Sequence, residues 1–265
     1  MKTNSKILSQ YYTKPEVAQY FLKKIKEILN LDNYFIVEPS AGTGSFLNNN
    51  ILENEIIAFD LEPKFDNIIK MNYFDFKPDN NKKYIVIGNP PFGKNSNLAV
   101  KFFNHSKYAD YICFILPKTF KKISVTNKLD NNFHLVYEEN VKENSFIFEN
   151  NEYDVPCVFQ IWKKESFKRN KTKNKTKSNY ITFLKYTDKY DYLIRRVGAL
   201  AGKVIENDFE KYSPNSHYYI KSSNNIKNLI KNKYKDLNEI AQNTAGNPSL
   251  SKHELIEYLE NLIVF

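Results

Sequence analysis

The run Asn89-Pro90-Pro91-Phe92 joins a neutral hydrogen-bond acceptor, two rigid residues and an aromatic ring. That set can activate a poor nitrogen nucleophile. An exocyclic amine on a nucleobase has its lone pair delocalised into the ring. Two acceptors that take its N–H hydrogens favour a pyramidal nitrogen whose lone pair is free to attack. The Asn89 side-chain oxygen and the Pro90 carbonyl can be those acceptors, and Pro90 and Pro91 fix the backbone so that both stay aimed. Phe92 offers a face for a base flipped out of its stack. No side chain in the run is suited to deprotonating such an amine beforehand, so the chemistry expected is direct in-line attack.

Three further groups precede this run. Gly42 and Gly44 allow a tight turn and close backbone approach to a ligand. A phosphate-binding loop would continue Gly-Lys-Ser/Thr, but Gly44 is followed by Ser45-Phe46, and a dinucleotide fingerprint would place a glycine where Leu47 stands. The remaining ligand class is a nucleoside without a pyrophosphate. Asp60 can accept from both hydroxyls of a ribose. Asp75 can accept from an adenine amino group, with Phe76 or Phe74 packing on the ring.

These groups sit where strands should end. Tyr34 to Val37 reads as a buried strand running into Glu38-Pro39-Ser40-Ala41-Gly42-Thr43-Gly44, Glu55 to Phe59 as a strand ending at Asp60, and Tyr84 to Ile87 as a strand ending at Gly88-Asn89. Tyr111 to Leu116, His134 to Glu138, Ser145 to Phe148 and Val155 to Trp162 read as further strands. Helices are expected from Pro15 to Leu29, capped by Thr13 with Glu16 in a capping box, over Ser45 to Leu52, and over Leu98 to Phe103. The alternation predicts an α/β fold: a Rossmann-like doubly wound parallel sheet with an antiparallel edge hairpin, its ligands beyond the carboxyl ends of the strands. Tyr180 to Leu184 and Tyr218 to Lys221 read as strands of a small C-terminal α+β region. Its last helix starts near Ser251, with Ser251 and Glu254 forming a second capping box.

The 265 residues, 42% hydrophobic, suffice for one sizeable core and a small accessory domain. The formal charge of +9 points to a polyanionic partner, although 36 of the 39 basic residues are lysine. Residues 163–179 carry eight basic residues against one acid, and the rest of the chain is close to neutral. That segment reads equally as a solvated tether or as a phosphate-binding stretch, and divides a domain over 1–163 from a region over 180–265. Cys113 and Cys157 lie in apolar runs without metal-ligand spacing, and the four histidines are scattered. The expectations are therefore no metal, no membrane span and a cytoplasmic protein, or one of the host-cell cytoplasm if the gene is viral.

The motifs resemble those of the Asn-Pro-Pro-Phe amino-methyltransferases, especially the N6-adenine DNA methyltransferases of restriction–modification systems, in the order of the gamma-type enzymes. The resemblance spans roughly residues 8–163. It implies S-adenosylmethionine as cofactor and adenine N6 in DNA as methyl acceptor. Gln10-Tyr11-Tyr12-Thr13-Lys14-Pro15-Glu16 is similar to the family's N-terminal motif, which implies Thr13 at the methionine end of the cofactor. Glu38 to Gly44 is similar to the cofactor motif, implying Glu38 near the methionine moiety, with Ala41, Gly42 and Gly44 in the binding turn. Asp60-Leu61-Glu62-Pro63 resembles the ribose-binding turn, and Asp75-Phe76 the adenine-binding one. Asn89 to Phe92 matches the catalytic motif at every position, so Asn89, Pro90 and Phe92 are implied as catalytic, Asn89 also facing the cofactor, and Pro91 and Phe92 as contacts of the target base. The Ser145 to Trp162 region resembles the one that supplies a second aromatic to that base. Phe148 is the candidate, with Phe146 and Tyr153 close alternatives.

The same chemistry on RNA or on cytosine N4 also fits the motif. Glutamine methylation of a protein fits less well, because Phe92 stands where those enzymes carry tyrosine. An idle nucleic-acid-binding module is disfavoured by the intact motifs. A partner endonuclease and a homodimer both stay open.

Overall fold

The strands buried on both faces, Ile36-Val37, Ile85-Val86-Ile87 and Ile112 to Leu116, form the centre of the molecule's largest sheet. The computed structural model describes residues 11–48, 50–244 and 246–263, and the chain divides between Lys171 and Thr172 into two compact units. Gln10 of the N-terminal motif lies outside the described residues.

In chain order the first unit begins with β1 (Tyr12–Thr13), α1 (Pro15–Ile28), β2 (Tyr34–Glu38), β3 (Ile56–Asp60), β4 (Ile69–Lys70) and β5 (Lys83–Gly88). It continues with α2 (Asn97–His105), β6 (Tyr111–Pro117), α3 (Ile123–Thr126), β7 (Phe133–Asn140), β8 (Phe146–Phe148), β9 (Asn151–Tyr153) and β10 (Cys157–Lys164). Seven strands lie in the order β4-β3-β2-β5-β6-β10-β7. β4 through β6 run parallel, and β10 runs antiparallel to both β6 and β7. This is the doubly wound sheet with an antiparallel edge hairpin expected from the sequence. The winding reverses between β2 and β5, which puts the ligand crevice at their carboxyl ends.

Phe146–Phe148 departs from the expected reading. β8 does not join the large sheet; it pairs with β1 on one side and β9 on the other. Glu149 and Asn150, at φ 48° and 64°, form a two-residue loop of the kind that closes tight hairpins and turn the chain straight back into β9.

Two helical expectations also change. α1 starts with Pro15 at its first position and Lys14 as N-cap, without a side-chain cap. Thr13 is held in β1 opposite Phe146, so its hydroxyl does not turn back to the helix. The described residues between Ser45 and Leu52 form turns, not a helix. There the Gly44 carbonyl accepts from both Leu47 and Asn48, and the asparagine-rich stretch that follows has little helical propensity. α1 packs by Ala18, Phe21, Leu22 and Ile25, with the Phe21 ring 4.2 Å from that of Phe159 on β10. Cys113 and Cys157 are buried free thiols, pushed up in pKa by burial.

The second unit comprises β11 (Thr182–Leu184), β12 (Tyr192–Arg195), β13 (Val204–Ile205), β14 (His217–Lys221), α4 (Asn224–Asn232), α5 (Tyr234–Ala241) and α6 (Lys252–Ile263). Its antiparallel sheet has the order β11-β14-β12-β13, around a core that includes Tyr192, Ile194, Ile220, Leu237 and Leu255. The capping box before α6 forms: the Ser251 hydroxyl accepts from Glu254 N–H at 3.1 Å, and Glu254 accepts from Ser251 N–H at 2.7 Å. In the basic stretch, the Arg169 guanidinium donates to the carbonyls of Thr126, Leu129 and Phe133, and Lys175 pairs with Glu260. Residues 171–177 are exposed.

Candidate active site

At the carboxyl ends of β2, β3 and β5 the chain encloses a cavity of about 290 Å³. Its lining includes Ser40, Gly42, Asp60 and Asn89 to Phe92 from these strand ends. Tyr11, Tyr12, Asn72, Phe74, Leu98 and Phe102 close it from other segments. A smaller chamber of about 30 Å³ lies beside it, lined by Thr13, Glu38, Ala41, Thr43 and Ser45. Tyr11, Tyr12, Ser40 and Asn89 belong to both chambers.

The glycine turn and Asp60 form one unit. Gly42 N–H donates to Asp60 Oδ2 at 2.7 Å, and Glu62 N–H donates to Asp60 Oδ1 at 2.8 Å. Each carboxylate oxygen keeps lone pairs for a ligand hydroxyl. Gly42 has φ +51°, and a Cβ there would lie 2.7 Å from the ring of Tyr12. Only glycine lets Tyr12 close over the turn.

Glu38 is 1% exposed, and its Oε2 has no hydrogen-bond partner. Burial, and secondarily the charge of Asp60, hold its carboxyl well above the usual carboxylate range. A cationic ligand group in the small chamber would reverse that by favouring the ionised form.

Asn89 is oriented by its nitrogen. Nδ2 donates to Tyr11 O at 3.0 Å and to Thr13 Oγ1 at 3.1 Å. A backbone carbonyl can only accept, so the amide nitrogen, and not the oxygen, must face Tyr11. That leaves Oδ1 buried without a partner, a state that costs roughly 1–3 kcal/mol unless a ligand satisfies it. Ser45 Oγ donates to Thr13 O at 2.6 Å and Ser40 Oγ to Asn89 O at 3.2 Å, which ties β1, the glycine turn and the Asn89 segment together. Pro90 and Pro91 continue the cavity wall. Phe92 follows, and its carbonyl accepts from Leu98 and Ala99 N–H at the start of α2.

The structure thus gathers Thr13, Glu38, Ala41, Gly42, Asp60 and Asn89 to Phe92 at one place. Gly44, at φ +71°, belongs to the turn without lining either chamber. Three expected residues lie elsewhere. Asp75 is exposed and outside the cavity lining, and Phe76 packs away from it, its ring 4.9 Å from Phe59 and 5.7 Å from Tyr108. The reason is the short strand β4, which ends at Lys70 and is followed directly by Met71-Asn72. Asn72 and Phe74 line the cavity instead, and Phe74 meets Phe102 edge-on at 5.0 Å. Phe148 is buried behind Tyr11, its ring 5.4 Å away, and does not line the cavity. Tyr11 and Tyr12 also line the cavity, a role that residue type alone does not indicate and that only their position directly before Thr13 in the N-terminal motif signals.

No family model matches the sequence, and no curated protein matches it. Solved structures similar in fold include a proposed RNA methyltransferase from Pyrococcus horikoshii, 15% identical, with 60% of this chain and 88% of that one covered and a TM-score of 0.48. A proposed type I restriction enzyme modification subunit from Vibrio vulnificus is 14% identical, with 58% and 44% covered and a TM-score of 0.45. The methyltransferase subunit of a type I restriction-modification system from Streptococcus thermophilus is 14% identical, with 95% and 57% covered and a TM-score of 0.42. The chain spans about half the length of these two restriction-system subunits.

Proposed function

We propose that this chain is an S-adenosylmethionine-dependent methyltransferase acting on the exocyclic N6 amine of adenine in DNA. The observation that carries the reading is the Asn89 amide. Its nitrogen is engaged twice by protein acceptors, and its oxygen is buried, unpartnered and fixed in the wall of a cavity at the switch point of the sheet.

The residues present fit the cofactor. Glu38, with an orphaned carboxyl oxygen in the small chamber, suits a cationic end, and Thr13 and Ala41 line the same chamber. Gly42 and Gly44 shape the turn beside it, and Asp60 retains lone pairs for ribose hydroxyls. Asn72 and Phe74, in place of Asp75 and Phe76, would meet the adenine. When bound, S-adenosylmethionine supplies a methyl group activated by its sulfonium.

The chain's own part is to bind and orient the amine. Asn89 Oδ1 and the Pro90 carbonyl accept its two N–H hydrogens and turn its lone pair out of the ring plane. Pro91 holds the backbone, and Phe92 stacks on the base. A sulfonium held beside Glu38 and Thr13 would supply the methyl group to that nitrogen, giving up its methyl–sulfur bond for the new nitrogen–methyl bond. The surplus proton then passes from nitrogen to water.

The test incubates the full chain with tritiated S-adenosylmethionine and, separately, DNA, RNA and protein, then identifies the labelled product. N6-methyladenine in DNA is expected. Label in RNA alone moves the substrate to RNA, and label in protein alone overturns the reading.

A further inference from the structure

Next to Asp60, whose carbonyl accepts from Met71 N–H at 3.0 Å, the larger cavity is walled by Leu61, Met71, Phe74 and Phe102. Leu61 and Phe74 are 55% and 36% exposed, apolar surface of the kind that a flat heterocycle covers. Two residues of this wall carry polar side-chain groups. The Tyr73 hydroxyl is engaged behind the wall, 2.8 Å from Ser106 Oγ and 3.0 Å from Tyr108 Oη. Asn72 is the other.

The polarity of Asn72 is set by its own turn. Its Oδ1 accepts from Phe74 N–H at 3.2 Å and its main-chain carbonyl from Asp75 N–H at 2.9 Å, which caps the short turn Tyr73–Asp75. A backbone N–H can only donate, so the amide oxygen, and not the nitrogen, faces the turn. Nδ2 is then the limb left for a ligand. An aspartate capping the same turn would leave an oxygen there. The acid expected from the sequence would accept from the amino group of an adenine, whereas the amide that stands in the wall offers a donor.

We propose that Asn72 is a specificity-determining residue that reads the cofactor's purine with inverted polarity: Nδ2 donates to a ring nitrogen, and the 6-amino group is not the recognised atom. The chain therefore accepts a purine that lacks this amino group. This rests on the S-adenosylmethionine reading above, and the experiment separates the two.

Binding to the full chain is measured by calorimetry with S-adenosylhomocysteine, its 6-deamino analogue and its 1-, 3- and 7-deaza analogues. The chains compared are the unaltered protein, Asn72→Ala and Asn72→Asp. For the unaltered protein the deamino analogue should bind within about twofold of the parent ligand, and one deaza analogue should lose roughly 2- to 13-fold, the range of one hydrogen bond. Asn72→Ala should weaken the parent ligand by that same factor and leave that deaza analogue unaffected. Asn72→Asp keeps a good capping side chain and should reverse the pattern, so that removal of the amine becomes the costly change. If Asn72→Ala does not fold, Asn72→Asp carries the comparison. A loss greater than about twofold for the deamino analogue in the unaltered protein overturns the proposal, because the remaining lone pair of Oδ1 would then be accepting from the amine. Three deaza analogues that all bind like the parent ligand overturn it as well. If the unaltered protein binds no S-adenosylhomocysteine, the cofactor reading fails and this inference with it. Normal binding of the parent ligand with a loss for the deamino analogue overturns the role of Asn72 alone.

Discussion

Thr13 touches no reacting atom in the proposed reaction, yet it should control the rate through Asn89. The Asn89 nitrogen has two acceptors, at 3.0 and 3.1 Å, and its oxygen has no protein partner. Thr13 is 5% exposed, and Thr13→Val keeps its shape while deleting the second acceptor. The bond to Tyr11 alone leaves the amide freer to rotate, and Oδ1 spends less time aimed at the amine. Loss of one such bond costs about 0.5–1.5 kcal/mol, or roughly 2- to 13-fold in the transfer rate. Asn89→Ala removes the acceptor itself, and one preorganised hydrogen bond of this kind is worth roughly 10²- to 10³-fold. In that background Thr13 has no amide to orient. The double variant should therefore react at the rate of Asn89→Ala alone, with a coupling energy equal to the whole Thr13→Val effect. Single-turnover quench-flow with radiolabelled cofactor and enzyme in excess over DNA reads the chemical step directly. Additive losses would show that Thr13 acts independently of the amide. Transfer by Asn89→Ala at the parental rate would refute the acceptor mechanism altogether.

The buried Glu38 carboxyl sets a pH dependence. Its pKa is raised in the folded chain, so the stability it contributes is present below the ordinary glutamate range and falls as pH rises through the raised value. A cationic ligand requires the ionised form, so cofactor affinity should rise by up to about tenfold per pH unit and level off above that value. Calorimetry on Glu38→Gln should give a flat profile, and a flat profile in the unaltered protein would remove Glu38 from the cofactor site. Gly42→Ala puts a Cβ 2.7 Å from the Tyr12 ring at φ +51°. It should lower the melting temperature, with a conformational cost of about 1–2 kcal/mol, and weaken cofactor binding; parental affinity would show that Tyr12 does not close over the ligand. Asp60→Ala should cost about 1.5–3 kcal/mol of cofactor affinity, and unchanged calorimetric affinity would reject it as the ribose ligand. In the basic segment, glutamine at the exposed Lys171, Lys173 and Lys177 should weaken binding to all DNA sequences alike. The salt slope should fall by about 0.9 per lost phosphate contact, and an unchanged slope would leave the segment a tether.

The strand-end residues were legible because each closes an apolar run with an abrupt polar residue, as Ile36-Val37 gives way to Glu38 and Ile87-Gly88 to Asn89. The residues that close the cavity opposite them were not. Tyr11, Leu98 and Phe102 reach it from segments whose convergence depends on packing. Asp75 lies outside the cavity for a related reason: β4 is two exposed residues long, too short to show a period, so residue type points to an acid while Asn72 is the residue that lines the cavity. The most instructive failure is a motif that occurs twice. Thr13 and Glu16 have the spacing of a capping box, as do Ser251 and Glu254, and only the second pair forms one. At Ser251 the side-chain bonds stay within the helix start, and local geometry decides. At Thr13 the chain is drawn into β1 by Phe146, and the hydroxyl serves Asn89, 76 residues away. A locally favourable cap worth about 1 kcal/mol has been given up there for a bond that orients one amide. Departures from local rules concentrate where function constrains the chain. The missing cap at Thr13 and the unpartnered oxygen of Asn89 belong to one such place, and the same two side chains carry the cycle by which the mechanism is tested.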